Sequence, residues 1–208
     1  PHEGCPYRCA FCNQSKISGN NRQTDPEIIL NVIREYLNVL DINSLPENRE
    51  IAFYGGSFTG LTYERQEKLF NAVRPWIVSG HIHSIRVSTH SLLVNEDNIS
   101  FLKDNNVRIV ELGIQSTNNK VLRAVGRPCE IETVKDAVRL IRSNGLGLGL
   151  QLMPGLPEDD ETTFLKSVDD VIELEPDFVR IYPTLVIKNT QLYDMYKEKK
   201  YIPWSLNR

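Results

Sequence analysis

The sequence contains no run of about 18 consecutive apolar residues, which is the length that a membrane-spanning helix requires. It also lacks the basic, apolar and small-residue segments of a signal peptide. No repeat of fixed period and no low-complexity tract interrupts the 208 residues. These absences argue against membrane and repeat proteins, and we expect a cytoplasmic protein with no membrane partner.

An excess of positive charge is also missing, because the formal net charge is −3. Chain-wide attraction to nucleic-acid phosphates is therefore not indicated, although a local basic patch remains compatible with this value. Hydrophobic residues make up 40% and charged residues 25% of the chain, which is typical of a globular domain rather than a disordered segment. We interpret residues 1–208 as one domain from a longer chain, because the first residue is Pro1 rather than Met.

Cysteine is scarce, with four residues in the chain, but three of them lie within eight positions. Cys5, Cys9 and Cys12 have the spacing C-x3-C-x2-C, which does not resemble the dispersed cysteines of a disulfide framework. Three thiolates can hold a [4Fe–4S] cluster and leave one iron open to an outside ligand. The spacing also permits a structural zinc site with His2 or Cys129 as the fourth ligand.

Apolar runs alternate with segments of helical period, which predicts an α/β fold with a parallel sheet. The predicted strands are residues 50–54, 85–88, 107–114, 146–153 and 178–182. The first predicted helix begins at Asp25-Pro26 and ends before a break at 44–48. The other predicted helices cover residues 63–76, 95–105, 130–143, 158–174 and 191–199. This alternation does not distinguish a barrel from an open doubly wound sheet.

Polar and glycine-rich clusters follow the carboxyl end of each predicted strand. They are Gly55-Gly56-Ser57, Ser88-Thr89, Gly113 to Ser116, Met153-Pro154-Gly155 and Tyr182-Pro183-Thr184. Parallel α/β folds place their sites at this edge of the sheet, so we expect a site there.

The cysteine spacing, with Phe11 before the last Cys, and the segment Tyr54-Gly55-Gly56-Ser57-Phe58 resemble the radical S-adenosylmethionine (SAM) superfamily. Four longer strings are similar to the branch of the Elongator catalytic subunit: 1–6, 11–14, 111–116 and 180–187. The resemblance implies a partial (β/α)6 TIM-like barrel whose first strand precedes Pro1. It also implies that Cys5, Cys9 and Cys12 bind the metal cluster and serve catalysis.

The activity implied by the resemblance is reductive cleavage of SAM to a 5′-deoxyadenosyl radical, with the cluster and SAM as cofactors and an external one-electron donor as partner. The Elongator branch modifies wobble uridine in transfer RNA, which suggests transfer RNA as a further partner. A radical SAM enzyme for a small metabolite and a noncatalytic zinc module remain the alternatives. The sequence predicts no oligomeric state.

The resemblance also suggests which residues contact SAM, and each has a structural alternative. Gly55, Gly56 and Ser57 would hold the amino group, or form a turn only. Phe11 and Tyr182 would line the adenine or pack in the core, and Ser88 and Thr89 would bind ribose or carboxylate or cap a helix. Gln115 would lie near SAM and Gln151 near SAM or substrate, unless the two form an internal amide network.

Two segments depart from the relatives. Ser88-Thr89-His90-Ser91-Leu92 replaces a common Ser-Thr-Arg-Pro-Asp, and Gly126-Arg127-Pro128-Cys129 replaces a common Gly-Arg-Gly-His. The roles of His90 and Cys129 are therefore not given by the resemblance.

Overall fold

A computed structural model describes residues 3–13, 25–39 and 48–205 of the chain. Pro1 and His2, the latter a candidate zinc ligand, and most of the predicted break at 44–48 lie outside these ranges.

The five predicted strands are all present and form one parallel sheet: β1 (Glu50–Phe53), β2 (Ser84–Thr89), β3 (Val107–Gln115), β4 (Gly147–Leu152) and β5 (Phe178–Ile181). Their order across the sheet is the same as their order along the chain. A doubly wound sheet reverses its strand order at a switch point, whereas a barrel adds each strand beside the previous one. The chain therefore has the curled half-barrel of a partial TIM-like fold.

The helices that connect these strands are α1 (Pro26–Val39), α2 (Tyr63–Val78), α3 (Glu96–Asp104), α4 (Asn119–Ala124), α5 (Ile131–Ser143), α6 (Glu161–Glu173) and α7 (Gln191–Lys197). Two short 3-10 helices cover Phe58–Gly60 and Ser91–Leu93. Helix α6 begins later than the predicted residue 158, because the Asp160 side chain accepts the N–H of Thr163 and caps the helix at that point. Helix α4 was not predicted.

The strands divide their side chains between two environments because successive residues of a strand face opposite sides of the sheet. Apolar residues of the central strands, including Val87, Leu112 and Leu150, are fully buried beneath the helices. The intervening residues belong to the concave face of the half-barrel. Polar side chains on alternate strand positions are thereby brought to one side of the sheet.

No helix within the described ranges is long and apolar enough to cross a membrane.

Candidate active site

The carboxyl ends of the five strands and the cysteine loop, residues 3–13, enclose a cavity of about 450 Å³. Every residue that the sequence singled out for a cofactor lines this cavity: Cys5, Cys9, Phe11, Cys12, Gly55, Gly56, Ser57, Ser88, Thr89, Gln115, Gln151 and Tyr182. These residues come from the cysteine loop and from the ends of all five strands. The fold therefore brings together side chains that are as far as 177 positions apart (182 − 5).

The cysteine loop is fastened to the rest of the fold through Ala10. The Ala10 N–H donates to the Val125 carbonyl at 2.8 Å, and the Ala10 carbonyl accepts the N–H of Leu192 at 2.8 Å. The Cys12 N–H donates to the Cys9 carbonyl at 2.9 Å and closes a turn between these two cysteines. The loop therefore crosses the mouth of the half-barrel between the end of α4 and the start of α7.

The three loop cysteines are free thiols; Cys9 is buried, and Cys5 and Cys12 are half-buried. Cys129 is also free, but it lines a separate pocket beside Pro128 and Glu130. Within residues 3–13, 25–39 and 48–205, no three His, Cys, Asp or Glu side chains surround one position for a metal ion. A [4Fe–4S] cluster makes a different demand, because each cysteine binds its own iron atom.

The glycine-rich segment follows β1 with two consecutive residues in the left-handed region. Gly55 has a φ of 87° and Gly56 a φ of 72°, which glycine adopts without the steric cost of a Cβ atom. Both residues line the cavity, and Ser57 beside them is buried. The segment therefore forms a turn and also presents main chain to the cavity.

The side chains of Gln115 and Gln151 are hydrogen-bonded to each other, in agreement with the alternative of an internal amide network. The Gln151 Nε2 donates to the Gln115 Oε1 at 3.0 Å, so the Nε2 of Gln115 remains as a donor. Gln115 also has a φ of 74°, a strained conformation that is frequent at functional sites. A Cβ on Gly113 would lie 2.8 Å from the Gln115 Nε2, so Gly113 makes room for this amide.

Ser88 and Thr89 end β2 at the cavity. The Thr89 hydroxyl lies 2.5 Å from the Thr59 hydroxyl, so Thr89 is already paired, whereas Ser88 is half-buried and faces the cavity. Neither caps the helix that follows, because Asn95 caps α3 through the N–H of Asn98.

The two predicted adenine contacts have different surroundings. Phe11 packs against a small buried cluster that includes Ala10, Val125 and Leu156, in agreement with the core-packing alternative. Tyr182 is 39% exposed, and the Arg180 guanidinium lies 5.2 Å from its ring centre. Each ring also lines the cavity, so packing and cofactor contact are compatible for both.

A charged network across the concave face was missed by the sequence analysis. Glu111 is 3% exposed, and one of its oxygens accepts the Tyr54 hydroxyl at 2.6 Å. The same carboxylate accepts Arg86 at 3.2 Å and Arg180 at 3.1 Å. Burial and the hydrogen bond to Glu111 raise the pKa of Tyr54. The available signal was a carboxylate between the apolar residues Val110 and Leu112 of a strand, which must find partners when buried.

Arg127 is a second residue that the sequence analysis missed. It is 8% exposed, its Nη1 donates to the Cys9 sulfur at 3.5 Å, and its Nη2 donates to the Gly113 carbonyl. Its Nε is buried and has no hydrogen-bond partner in the described part of the chain. A guanidinium group, and with it a positive charge, thus lies beside a predicted cluster ligand.

His90 lines the same cavity and is 1% exposed. Its ring centre lies 4.5 Å from that of Tyr7 in the cysteine loop. Burial, assisted by the charge of Arg127, lowers the pKa of His90 to about 3. The imidazole is therefore neutral at physiological pH.

Two family models match the chain. The model of the Radical SAM superfamily matches residues 1–171, and the model of the Radical_SAM C-terminal domain matches residues 176–208. The tRNA uridine(34) acetyltransferase of Methanocaldococcus jannaschii is 38% identical over 98 residues, which cover 46% of this chain and 18% of that protein.

Solved structures share the same fold. The Elp3 of Methanocaldococcus infernus has a TM-score of 0.74 and 25% identity, covering 87% of this chain and 49% of that one. Coproporphyrinogen III oxidase (HemN) from Escherichia coli, a radical SAM enzyme, has a TM-score of 0.67 and 19% identity, covering 98% of this chain and 47% of that one. The chain thus spans about half the length of these structures, and the match covers less than a fifth of the curated acetyltransferase.

Radical SAM enzymes use a [4Fe–4S] cluster together with SAM. The donor set of this cavity fits both groups, since three free thiols on one loop suit iron and a buried guanidinium with an unpaired Nε suits the SAM carboxylate. The family match, the half-barrel and the cavity therefore agree, and the chain belongs to the radical SAM superfamily and is an enzyme of that class.

Proposed function

We propose that this chain binds a [4Fe–4S] cluster through Cys5, Cys9 and Cys12 and cleaves SAM reductively in the cavity. The observation that carries the proposal is that the three free thiols and the predicted SAM contacts line one cavity at the strand ends. When bound through these thiols, the cluster would supply one electron, taken from an external donor, for reductive cleavage of SAM to methionine and a 5′-deoxyadenosyl radical. The protein supplies binding, orientation and exclusion of side reactions.

The amino-acid part of SAM would lie between the glycine segment and Arg127. Main-chain groups at Gly55, Gly56 and Ser57 are accessible to the amino group because glycine permits a close approach. Arg127 is the natural partner of the carboxylate, because it is cationic, buried and next to Cys9.

The nucleoside part of SAM would then extend toward β2, β3 and β5. Ser88 and the free Nε2 of Gln115 would bond the ribose, while Thr89 supports the β2 end through Thr59. Gln151 would position the Gln115 amide, and Phe11 and Tyr182 would cover the adenine. Enclosure of this kind keeps water and competing hydrogen donors away from a radical.

We propose transfer RNA as the substrate class, in line with the name of the M. jannaschii relative. Arg8, Arg123 and Lys188 support this choice, because all three are exposed and none forms an ion pair within the described ranges. Arg8 is part of the cysteine loop, Arg123 is on α4, and Lys188 precedes Asn189, whose carbonyl accepts the Asn13 amide at 2.7 Å. Unpaired cations around the cavity mouth suit a phosphate backbone.

A small-metabolite substrate is the second candidate. It is favoured by the fold that the chain shares with coproporphyrinogen III oxidase over 98% of its length. The volume of about 450 Å³ lies within the ordinary range of small-molecule sites, so the cavity alone does not select between the two substrate classes.

Anaerobic reconstitution with iron and sulfide tests the cluster assignment. We expect stoichiometric iron and sulfide, an electron paramagnetic resonance signal after reduction, and 5′-deoxyadenosine formation with dithionite as electron donor. Tightly bound zinc without reconstitutable iron would instead support the zinc-module alternative and contradict the proposal.

We further propose that the chain forms a single domain. One buried core runs from Ile29 on α1 to Val171 on α6, which supports this organisation.

A further inference from the structure

The His90 side chain sits at the end of β2 with its protonation fixed by a local hydrogen bond. Its Nδ1 accepts the main-chain N–H of Leu92 at 3.2 Å and thereby caps the 3-10 helix that follows. Because an accepting ring nitrogen carries no proton, the neutral imidazole must carry its proton on Nε2. His90 is therefore a hydrogen-bond donor at Nε2.

This donor has no acceptor in the described part of the chain, although the atom is buried. A buried donor without a partner costs about 1–3 kcal/mol, so its retention beside a cavity indicates a ligand that supplies the acceptor. The Arg127 Nε is also a buried donor without an acceptor in the described part of the chain. Two buried donors on residues that line the same cavity, one of them cationic, favour an anionic acceptor.

Among the described residues that line this cavity, Glu111 is the one carboxylate, and that group is already engaged. It accepts hydrogen bonds from Tyr54, Arg86 and Arg180. The acceptor for His90 and Arg127 must therefore come with the ligand. A carboxylate suits two donors, because its two oxygens offer about four lone-pair positions.

The cysteine loop also fixes the direction of the imidazole ring. Tyr7 lies against His90 with ring centres 4.5 Å apart and an interplanar angle of 45°. Tyr7 lies between Cys5 and Cys9, so the loop that carries the thiols also orients the histidine. The donor and the cysteines are thus positioned by one segment.

We infer that the Nε2–H of His90 donates to the carboxylate of SAM, beside Arg127. This inference rests on the proposed binding of SAM and deepens it, since it assigns a determinant of carboxylate recognition to a residue in a segment that departs from the relatives. His90 is a binding residue in this assignment and takes no part in proton transfer.

Decarboxylated SAM is the appropriate probe, because it keeps the amine, the sulfonium and the nucleoside and lacks only the carboxylate. Equilibrium dialysis of SAM and of decarboxylated SAM against the reconstituted, oxidised protein gives an affinity ratio without any turnover. His90→Asn retains an acceptor near the Nδ1 position for Leu92 and removes the Nε2 donor. His90→Gln does the reverse, placing an amide donor near Nε2.

We expect wild-type protein to prefer SAM over decarboxylated SAM, and His90→Asn to reduce this preference about 10- to 100-fold, as for loss of a hydrogen bond to a charged group. His90→Gln should retain most of the preference. His90→Leu, which also removes the donor, serves as a second donor-free variant if the Asn variant does not fold.

Unchanged affinities for both ligands in folded His90→Asn or His90→Leu would overturn the inference while leaving SAM binding intact. An equal loss for both ligands would also overturn it, because His90 would then act on a part of SAM other than the carboxylate. If the wild-type protein bound neither ligand, the proposed function itself would fail, and this result is distinct from the other two.

Discussion

Gly4 and Gly60 contact each other through their main chains. A Cβ atom on Gly60 would overlap the Gly4 carbonyl, and a Cβ on Gly4, whose φ is 84°, would lie 2.9 Å from the Leu61 nitrogen. Gly4 directly precedes Cys5, and Gly60 ends the 3-10 helix that follows the Gly55–Gly56 turn. The segments proposed to hold the cluster and the SAM amino group therefore meet at a contact that admits no side chain.

Substitution Gly60→Ala should displace the cysteine loop. No left-handed φ is involved at this position, so the effect comes from steric overlap with Gly4. We expect the variant to bind less iron after reconstitution and to bind SAM at least about tenfold more weakly, as expected for a loss of about 1.4 kcal/mol. Iron determination and equilibrium dialysis measure these changes.

Gly80→Ala is the matched control, because a Cβ there meets nothing within 4 Å although φ is 73°. It should lower the free energy of unfolding by about 1 kcal/mol through backbone strain and leave iron content unchanged. Full iron loading and normal SAM affinity in Gly60→Ala would show that the Gly4–Gly60 contact has no part in cofactor binding.

Substitution Cys9→Ala should abolish cluster assembly and 5′-deoxyadenosine production. Cys9 is buried beside Arg127, so its loss removes one of the three proposed cluster ligands. Cys129→Ala is the control, because that thiol lines a separate pocket. Retained iron and SAM cleavage in Cys9→Ala, measured by iron determination and chromatography, would contradict the ligand assignment.

Substitution Glu111→Gln should destabilise the half-barrel, because Arg86 and Arg180 would lose their common buried counter-ion. Arg86 keeps Glu50 as a partner and both arginines are partly exposed, so we expect a loss of about 1–3 kcal/mol, which urea denaturation measures. Glu64→Gln removes an exposed partner of Lys68 and should leave the denaturation midpoint unchanged. Equal midpoints for both variants would mean that the Glu111 network contributes little to stability.

Asp159 should make stability depend on mildly acidic pH. Burial, with a smaller contribution from Asp160, raises the pKa of Asp159 from 3.8 to about 6, while a hydrogen bond from the Gly155 N–H opposes the rise. The folded state then binds more protons than the unfolded state between these values, so the contribution of Asp159 to stability falls as pH rises from about 4 to 6.

Asp159→Asn should remove this dependence, because Asn cannot ionise. Melting temperatures of wild type and variant are compared at pH 4, 5, 6 and 7, with the wild type expected to lose stability relative to the variant up to pH 6. A constant difference between the two proteins across this range would rule out titration of Asp159.

Alanine substitution of Arg123 and Lys188 tests the transfer RNA proposal. Each lost phosphate contact should weaken binding and reduce the slope of log affinity against log salt by about 1. Lys68→Ala, which removes an exposed charge from α2, should leave the slope unchanged. Filter binding at several salt concentrations provides the measurement, and no binding by the wild type would favour a small-metabolite substrate.

The strands were predictable because each is a short, largely apolar run followed by a polar cluster. The cavity could be anticipated from the same pattern, since carboxyl ends of parallel strands share one edge of a sheet. Helix α4 escaped prediction because its six residues are too few to establish a helical period.

The Glu111 network escaped prediction for a different reason. Its members lie on different strands, and the sequence does not give the strand register that brings Arg86 and Arg180 within hydrogen-bonding distance of Glu111. The proposed roles of His90 and Arg127 in binding SAM depend on which of their nitrogen atoms have a hydrogen-bond partner in the folded protein and which do not. Such an account of donors and acceptors cannot be read from residue spacing.

The two hydrogen bonds of Ala10 join the cysteine loop to Val125 and Leu192, which lie outside the sheet. The smallest part of the chain that can hold this loop in place is therefore larger than the five strands. A version of this protein shortened to end before Leu192 would keep all five strands and the bond from Ala10 to Val125, yet its cysteine loop would lose the hydrogen bond that the Ala10 carbonyl accepts from Leu192. Helix α7, although remote in sequence from the thiols, is thus part of the framework on which any excised version of this fold would depend.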